Sequence, residues 1–170
     1  MTADFVAVVV WGLVVAIVGA LLTDSLSTWY KEELKKPKWQ PPDWAFGPAW
    51  SVIFVLAAWS FYLGLEDAPT PGSRLLIIAL FVLNGLANIL WNPLFFRLRR
   101  PDWALMETPF LWLSVLAPML VLRPISGTAS LLLLPYLAWV TFAGYLNLTI
   151  VRLNRPFGLG AAPALNARSS

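Results

Sequence analysis

The sequence predicts an all-α polytopic membrane protein, a bundle of five transmembrane helices, and three observations carry that prediction. Of its 170 residues 59% are hydrophobic and only 12% charged, at a mean hydropathy of +0.70, whereas a soluble domain carries about 25% charged residues. Apolar runs of bilayer-crossing length occupy residues 5–23, 44–65, 75–96, 103–122 and 124–151. Lys and Arg also alternate between the connections: ten fall in the first loop, the third loop and the C-terminal tail, against two, Arg74 and Arg123, on the other side. By the positive-inside rule this bias puts the N-terminus outside and the C-terminus inside. No linker divides the chain, so residues 1–155 read as one domain, followed by a tail, 156–170, expected to be disordered.

There is no Cys and no His. Disulfides, thiolate zinc sites, Ser-His and Cys-His nucleophile pairs and His-ligated haem are thereby excluded. A net charge of +3, dispersed along the chain, gives no nucleic-acid signature.

The first run, Phe5 to Thr23, follows "MTAD", which lacks the basic residues of a secretory signal, so it reads as a retained helix. Its Gly12, Ala16 and Ala20 recur every four positions and make one small-residue face, suited to close packing within the monomer or to a dimer seam. The loop that follows contains "KPKWQPPDWAFGPAW", Lys36 to Trp50, with three Trp and four Pro in fifteen residues. Pro41 and Pro42 exclude a helix interior, while Pro48 is tolerated in a first turn. The segment before Trp44 is therefore a stiff, irregular loop able to fold over the bundle as a lid. An interfacial aromatic belt is the alternative, but it needs only one or two Trp and no Pro-Pro pair.

In the second run Trp50, Phe54, Ala57 or Ala58, and Phe61 follow at helical spacing. The third run places Asn84, Asn88, Trp91 and Asn92 on one face. In hydrocarbon such amides point inward, as glue between helices or as the lining of a cavity. Glu107 is the acid of the fourth run, about one turn in, and is expected to snorkel or to pair with Arg97, Arg99 or Arg100. No base, acid or metal-ligand set accompanies it, so neither a catalytic group nor a metal site is expected. The fifth run places Pro135, Trp139, Phe142, Ala143, Leu146 and Asn147 on one face: a cleft beside Ala143 with aromatic walls, or ordinary core.

These motifs, "KPKWQPPDWAFGPAW", "ANILWNPLFF", "WALMETPFLW" and "LLLLPYLAWVTFAGYLNLTIVRLN", occur in order and in separate runs. Together they resemble the TspO/MBR family, the tryptophan-rich sensory proteins that include the mitochondrial translocator protein, or peripheral benzodiazepine receptor. The resemblance implies a five-helix bundle in a lipid bilayer, commonly a homodimer. It further implies binding of porphyrins and, in many members, of sterols and isoquinoline or benzodiazepine ligands, in a cavity near the first loop. Carried over motif by motif, the ligand-binding residues would be Trp39, Trp44, Phe46, Trp50, Asn84, Asn88, Trp91, Trp139, Phe142, Ala143 and Asn147, with Trp103 and Trp112 as further candidates. The porphyrin is a ligand on this reading, and no obligatory cofactor is implied.

Some relatives are proposed to break porphyrins down in light, for which Trp50 and Trp139 match the ring positions. Transport is the third class, although no internal repeat surrounds a midplane ion site. The chain departs from the family in having Phe54 where a Tyr is usual, and Ala57-Ala58 where Met-Gly is common. Six residues separate Tyr145 from Arg152, too many for the family's cholesterol consensus. Members are assigned to bacterial outer or mitochondrial outer membranes, whereas helical spans with this charge bias fit a cytoplasmic membrane.

Overall fold

A computed structural model describes residues 2–157, so most of the tail from residue 156 lies outside the described residues. The described residues form six helices and no strand. They are α1 (Ala3–Leu22), α2 (Asp43–Glu66), α3 (Pro71–Asn92), α4 (Pro101–Leu122), α5 (Gly127–Leu132) and α6 (Leu134–Asn154). With α5 and α6 taken as one span, five segments are long and apolar enough to cross a membrane, the five that the sequence predicts.

Helix boundaries follow local chemistry. The Thr2 hydroxyl accepts from the Phe5 N–H at 3.3 Å to cap α1, and Thr70 and Ser73 exchange backbone-to-side-chain bonds of 3.1 Å to cap α3, with Pro71 in its first turn. Pro93 has no N–H for the carbonyl of Ile89, and the chain widens there into a π-helical turn, Pro93–Arg97. Arg99, at a φ of 52°, then reverses the chain into α4. The fifth run starts later than the sequence suggests and is broken at Leu133. Residues 123–125 form a turn, after which the Ser126 N–H reaches the Leu122 carbonyl at 2.7 Å, and Pro135 cannot donate to Leu131, so α5 ends before α6 begins.

α3 is packed against α1, α2 and α4, and α4 in turn against α6. The core centres on Phe61 and Phe81, whose rings stack at 4.4 Å, with the Trp11 indole edge-on to both and donating to the Phe81 carbonyl at 3.1 Å. Gly12 lies against Ala58, where an added Cβ would be 3.7 Å from the Ala58 methyl, so this part of the small-residue face packs within the monomer. An ion pair between Asp4 and Arg74 joins the starts of α1 and α3 at the end remote from the first loop.

Glu107 departs from expectation. It is 8% exposed, and neither carboxylate oxygen has a hydrogen-bond partner among the described residues. Arg100 is engaged elsewhere, bonding to Asp102 at 2.7 Å and lying over the Trp103 ring, while Arg97 donates to the Leu21 carbonyl. The reason is rotational: position 107 falls on the buried stripe with Ala104, Leu111 and Val115, facing the bundle and away from the loop cations.

The α1–α3 approach depends on Gly85. A Cβ there would sit 2.9 Å from Val15 Cγ2 and 3.0 Å from Trp11 Nε1. Gly85→Val should therefore displace α1 and the Trp11 hydrogen bond at a cost of about 2 kcal/mol. Thermal unfolding in detergent checks this, and an unchanged midpoint would mean that α1 is not held by this contact.

Candidate functional site

Where α1 and α2 run toward the first loop, the bundle encloses a cavity of about 500 Å³, within the range of small-molecule sites. Each element supplies a different kind of wall. α1 contributes small groups, Ala16, Gly19 and Ala20, and closes with Thr23. α2 brings Trp44, Phe46, Gly47, Trp50 and Phe54; α3 and its π-helical turn bring Asn88, Trp91, Asn92, Phe95 and Phe96. Thr108 and Leu111 come from α4, and Trp139, Val140, Ala143, Gly144, Leu146, Asn147 and Ile150 from α6.

The rings are mutually braced. Trp50 stacks on Phe54 at 5.4 Å and meets Trp139 edge-on at 6.4 Å, Phe46 stands edge-on to Trp139 at 5.8 Å, and Trp91 stacks on Phe95 at 4.9 Å. The amides of α3 are committed to other helices. Asn88 donates to the Tyr136 hydroxyl at 2.9 Å, and Asn92 accepts from the Thr23 hydroxyl at 2.9 Å. On α6 the situation is reversed: among the described residues Asn147, 2% exposed, has no partner for either amide atom, and Trp139 Nε1 has none.

Of the residues singled out from the sequence, Trp44, Phe46, Trp50, Asn88, Trp91, Trp139, Ala143 and Asn147 line this cavity. Trp39, Asn84 and Phe142 do not. Trp39 lies outside α6, stacked on Tyr145 at 5.4 Å, because the stiff Pro37–Pro42 segment carries it past the mouth. Asn84 is a turn deeper than Asn88 and is used in packing, donating to Ser114 Oγ at 3.0 Å. Phe142 falls behind Trp139, with ring centroids at 5.6 Å. Trp103 and Trp112 also face away; the latter donates to Thr141 on α6 at 2.9 Å.

Other contributions were not read from the sequence. The α1 wall has no polar or aromatic label, and only its small-residue spacing hinted at it. The mouth is bordered by Tyr30, Gln40 and Asp43: the Tyr30 hydroxyl donates to Asp43 at 3.1 Å, and Gln40 Nε2 donates to the Tyr30 oxygen at 3.2 Å. Burial, with the Asp43 charge adding to it, pushes the Tyr30 hydroxyl up to about 12, so it remains a donor at any physiological pH. Lys36 Nζ sits 4.0 Å over the same ring. The far end of the loop is clamped by Asn154, which accepts from the Lys35 N–H and donates to the Lys35 carbonyl, each at 2.8 Å.

The chain matches the model of the TspO/MBR family over residues 5–153. It is 36% identical over 142 residues to the tryptophan-rich protein TspO of Chlorobaculum tepidum, covering 84% of this chain and 90% of that one. To the protein of the same name in Archaeoglobus fulgidus it is 37% identical over 143 residues, covering 84% and 91%. To the human translocator protein it is 31% identical over 127 residues, covering 74% and 75%. The chain therefore belongs to the TspO/MBR family.

Because Asn154 provides both fixed points of Lys35, Asn154→Ala should release the loop at a cost of about 1–2 kcal/mol in local stability. Trypsin cleavage after Lys35 and Lys38 should then accelerate by about tenfold. Cleavage at the wild-type rate would show that the aromatic contacts hold the loop without the clamp.

Proposed function

We propose that this member of the TspO/MBR family is an integral membrane binding protein for planar tetrapyrroles of the porphyrin class, acting as a sensor or chaperone. The observation that carries the reading is the cavity of about 500 Å³ walled by Phe46, Trp50, Phe54, Trp91 and Trp139 beneath the first loop. A flat, apolar macrocycle offers its faces to such rings, and pre-braced rings lose little freedom on binding. Carboxylates at the edge of a porphyrin would lie at the mouth. Of the basic groups near it, Lys36 stands beside Tyr30, itself a lining residue, whereas Arg97 and Arg100 are engaged with protein groups. Lacking His and Cys, the chain would recognise the macrocycle and not an axial metal. Sterols and benzodiazepine-type ligands are secondary in this reading, since the cholesterol consensus is broken after Tyr145. A homodimer, with the N-terminus outside by the charge bias, completes the proposal.

One observation favours a second reading. Trp50 and Trp139 lie 6.4 Å apart and both face the cavity, so a photoexcited ligand there would have two electron-rich indoles beside it. Light-dependent porphyrin degradation would use them as electron donors. Equal rates of bleaching with the Trp50→Phe, Trp139→Phe double variant would remove that role.

Titration with protoporphyrin IX, followed by Trp fluorescence, tests the main reading. Saturable quenching is expected, weakened about tenfold by Trp139→Ala, roughly the 1.4 kcal/mol that one ring stack supplies. Trp103→Ala, whose indole is half exposed against Arg100, should bind as wild type. Non-saturating quenching in all three proteins would mean partitioning into the micelle.

A further inference from the structure

The unpartnered polar groups of the bundle are not scattered. Among the described residues, the buried side-chain atoms without a hydrogen bond belong to Gln40, Glu107, Trp139 and Asn147. Gln40, Trp139 and Asn147 line the cavity, and Glu107 adjoins Thr108 and is one helical turn from Leu111, which line it too. Asn147 and Glu107 share a depth. A Cβ on Gly144 would lie 2.9 Å from Thr108 Cγ2, so the antiparallel helices α6 and α4 meet at that level, with Asn147 one turn past Gly144 and Glu107 one residue before Thr108. Long side chains on a helix lean toward its N-terminus, which carries the Glu107 carboxyl toward the level of Asn147. Both residues are more than nine-tenths buried.

Buried polar atoms are nearly always satisfied, so an unsatisfied set on a cavity wall and beside it points to the groups that would satisfy it. Here acceptors outnumber donors: two carboxylate oxygens and the amide oxygens of Asn147 and Gln40, against the amide nitrogen of Asn147 and the indole N–H of Trp139. No Lys or Arg supplies the missing donors. The basic residues of the first and third loops are taken up by Tyr30, Asp102 and the Leu21 carbonyl or stand at the mouth. Of the other described basic groups, Arg74 and Arg123 lie at the opposite end of α3 and α4, and Arg152 and Arg155 are exposed at the end of α6.

We infer that Glu107 and Asn147 form a nitrogen-recognising subsite in the α4–α6 wall, taking the N–H donors of a planar aromatic amine or its cation. The inference rests on the reading that the cavity holds a ligand, and it adds a polar selection that aromatic walls cannot make. It also orients an amphiphilic ligand: nitrogen donors toward α4 and α6, carboxylates away from Glu107 and toward Lys36 at the mouth.

Two probes of nearly equal shape separate these terms: 9-aminoacridine, cationic with exocyclic N–H donors, and acridone, neutral with a carbonyl. Binding is measured by probe fluorescence in nanodiscs of zwitterionic lipid. Wild type should bind 9-aminoacridine at least about tenfold tighter than acridone. Glu107→Gln should remove that preference by weakening 9-aminoacridine about tenfold, with acridone changed by less than about twofold, and Asn147→Leu should weaken 9-aminoacridine as well. Equal affinity of wild type for the two probes overturns the subsite without any variant, as does a Glu107→Gln protein that keeps the preference. The tetrapyrrole reading is judged separately: a Glu107-dependent preference for the amine, together with non-saturating protoporphyrin IX, upholds the subsite and removes the porphyrin.

Discussion

Three asparagines on one face of α3 tie the bundle together. Asn84 bonds to Ser114 on α4, Asn88 to Tyr136 on α6, and Asn92 to Thr23 at the end of α1. Between hydrocarbon-facing helices there is little hydrophobic drive to associate, so packing and hydrogen bonds set the geometry. A stripe of amides at offsets of four residues therefore does for α3 what a hydrophobic stripe does for a helix in water. Each partner is a small hydroxyl or a phenol, groups that find few alternatives in a lipid environment.

Among the described residues α2 makes no such tie to α6 near the first loop, and the cavity lies there. Its polar anchor is at the other end, where the Ser60 hydroxyl donates to the Ala129 carbonyl at 2.6 Å. Toward the loop it meets α6 through rings, Trp50 against Tyr136 and Trp139, and Phe46 against Trp139. Edge-on aromatic contacts hold helices apart at ring width, whereas the Gly12–Ala58 contact brings α1 and α2 close. Small residues bring α1 and α2 together at one end, and rings hold α2 off α6 at the other.

The sequence made the spans legible because apolar runs of bilayer length have few other uses, and it made the α3 and α6 faces legible because the helical period is fixed. Period alone cannot say how deep a face is open. Asn84 and Asn88 share a stripe, yet one meets Ser114 and the other borders the cavity, a difference set by α4. Trp39 lies off the cavity lining because the path of a proline-rich loop is not periodic. Asn154 carried no signal, since its role depends on which loop passes it. Glu107 was assigned to the loop arginines by nearness in sequence, where the helical stripe through Ala104 and Leu111 assigns it to the interior.

A bundle so well satisfied on α3 has no structural need for orphaned groups on α6 and α4. Each buried donor or acceptor left unmade costs about 1–3 kcal/mol, and an apolar residue at Asn147 would relieve that cost without touching any bond of the α3 network. The aromatic walls could accept a flat hydrocarbon without such groups. In the proposed subsite an occupant with matching polar atoms would satisfy them, and the free energy recovered on pairing would add to that of the occupied fold. At the mouth, Tyr30, Gln40 and Asp43 satisfy most of one another's polar atoms, a local network separate from the bonds that hold the helices.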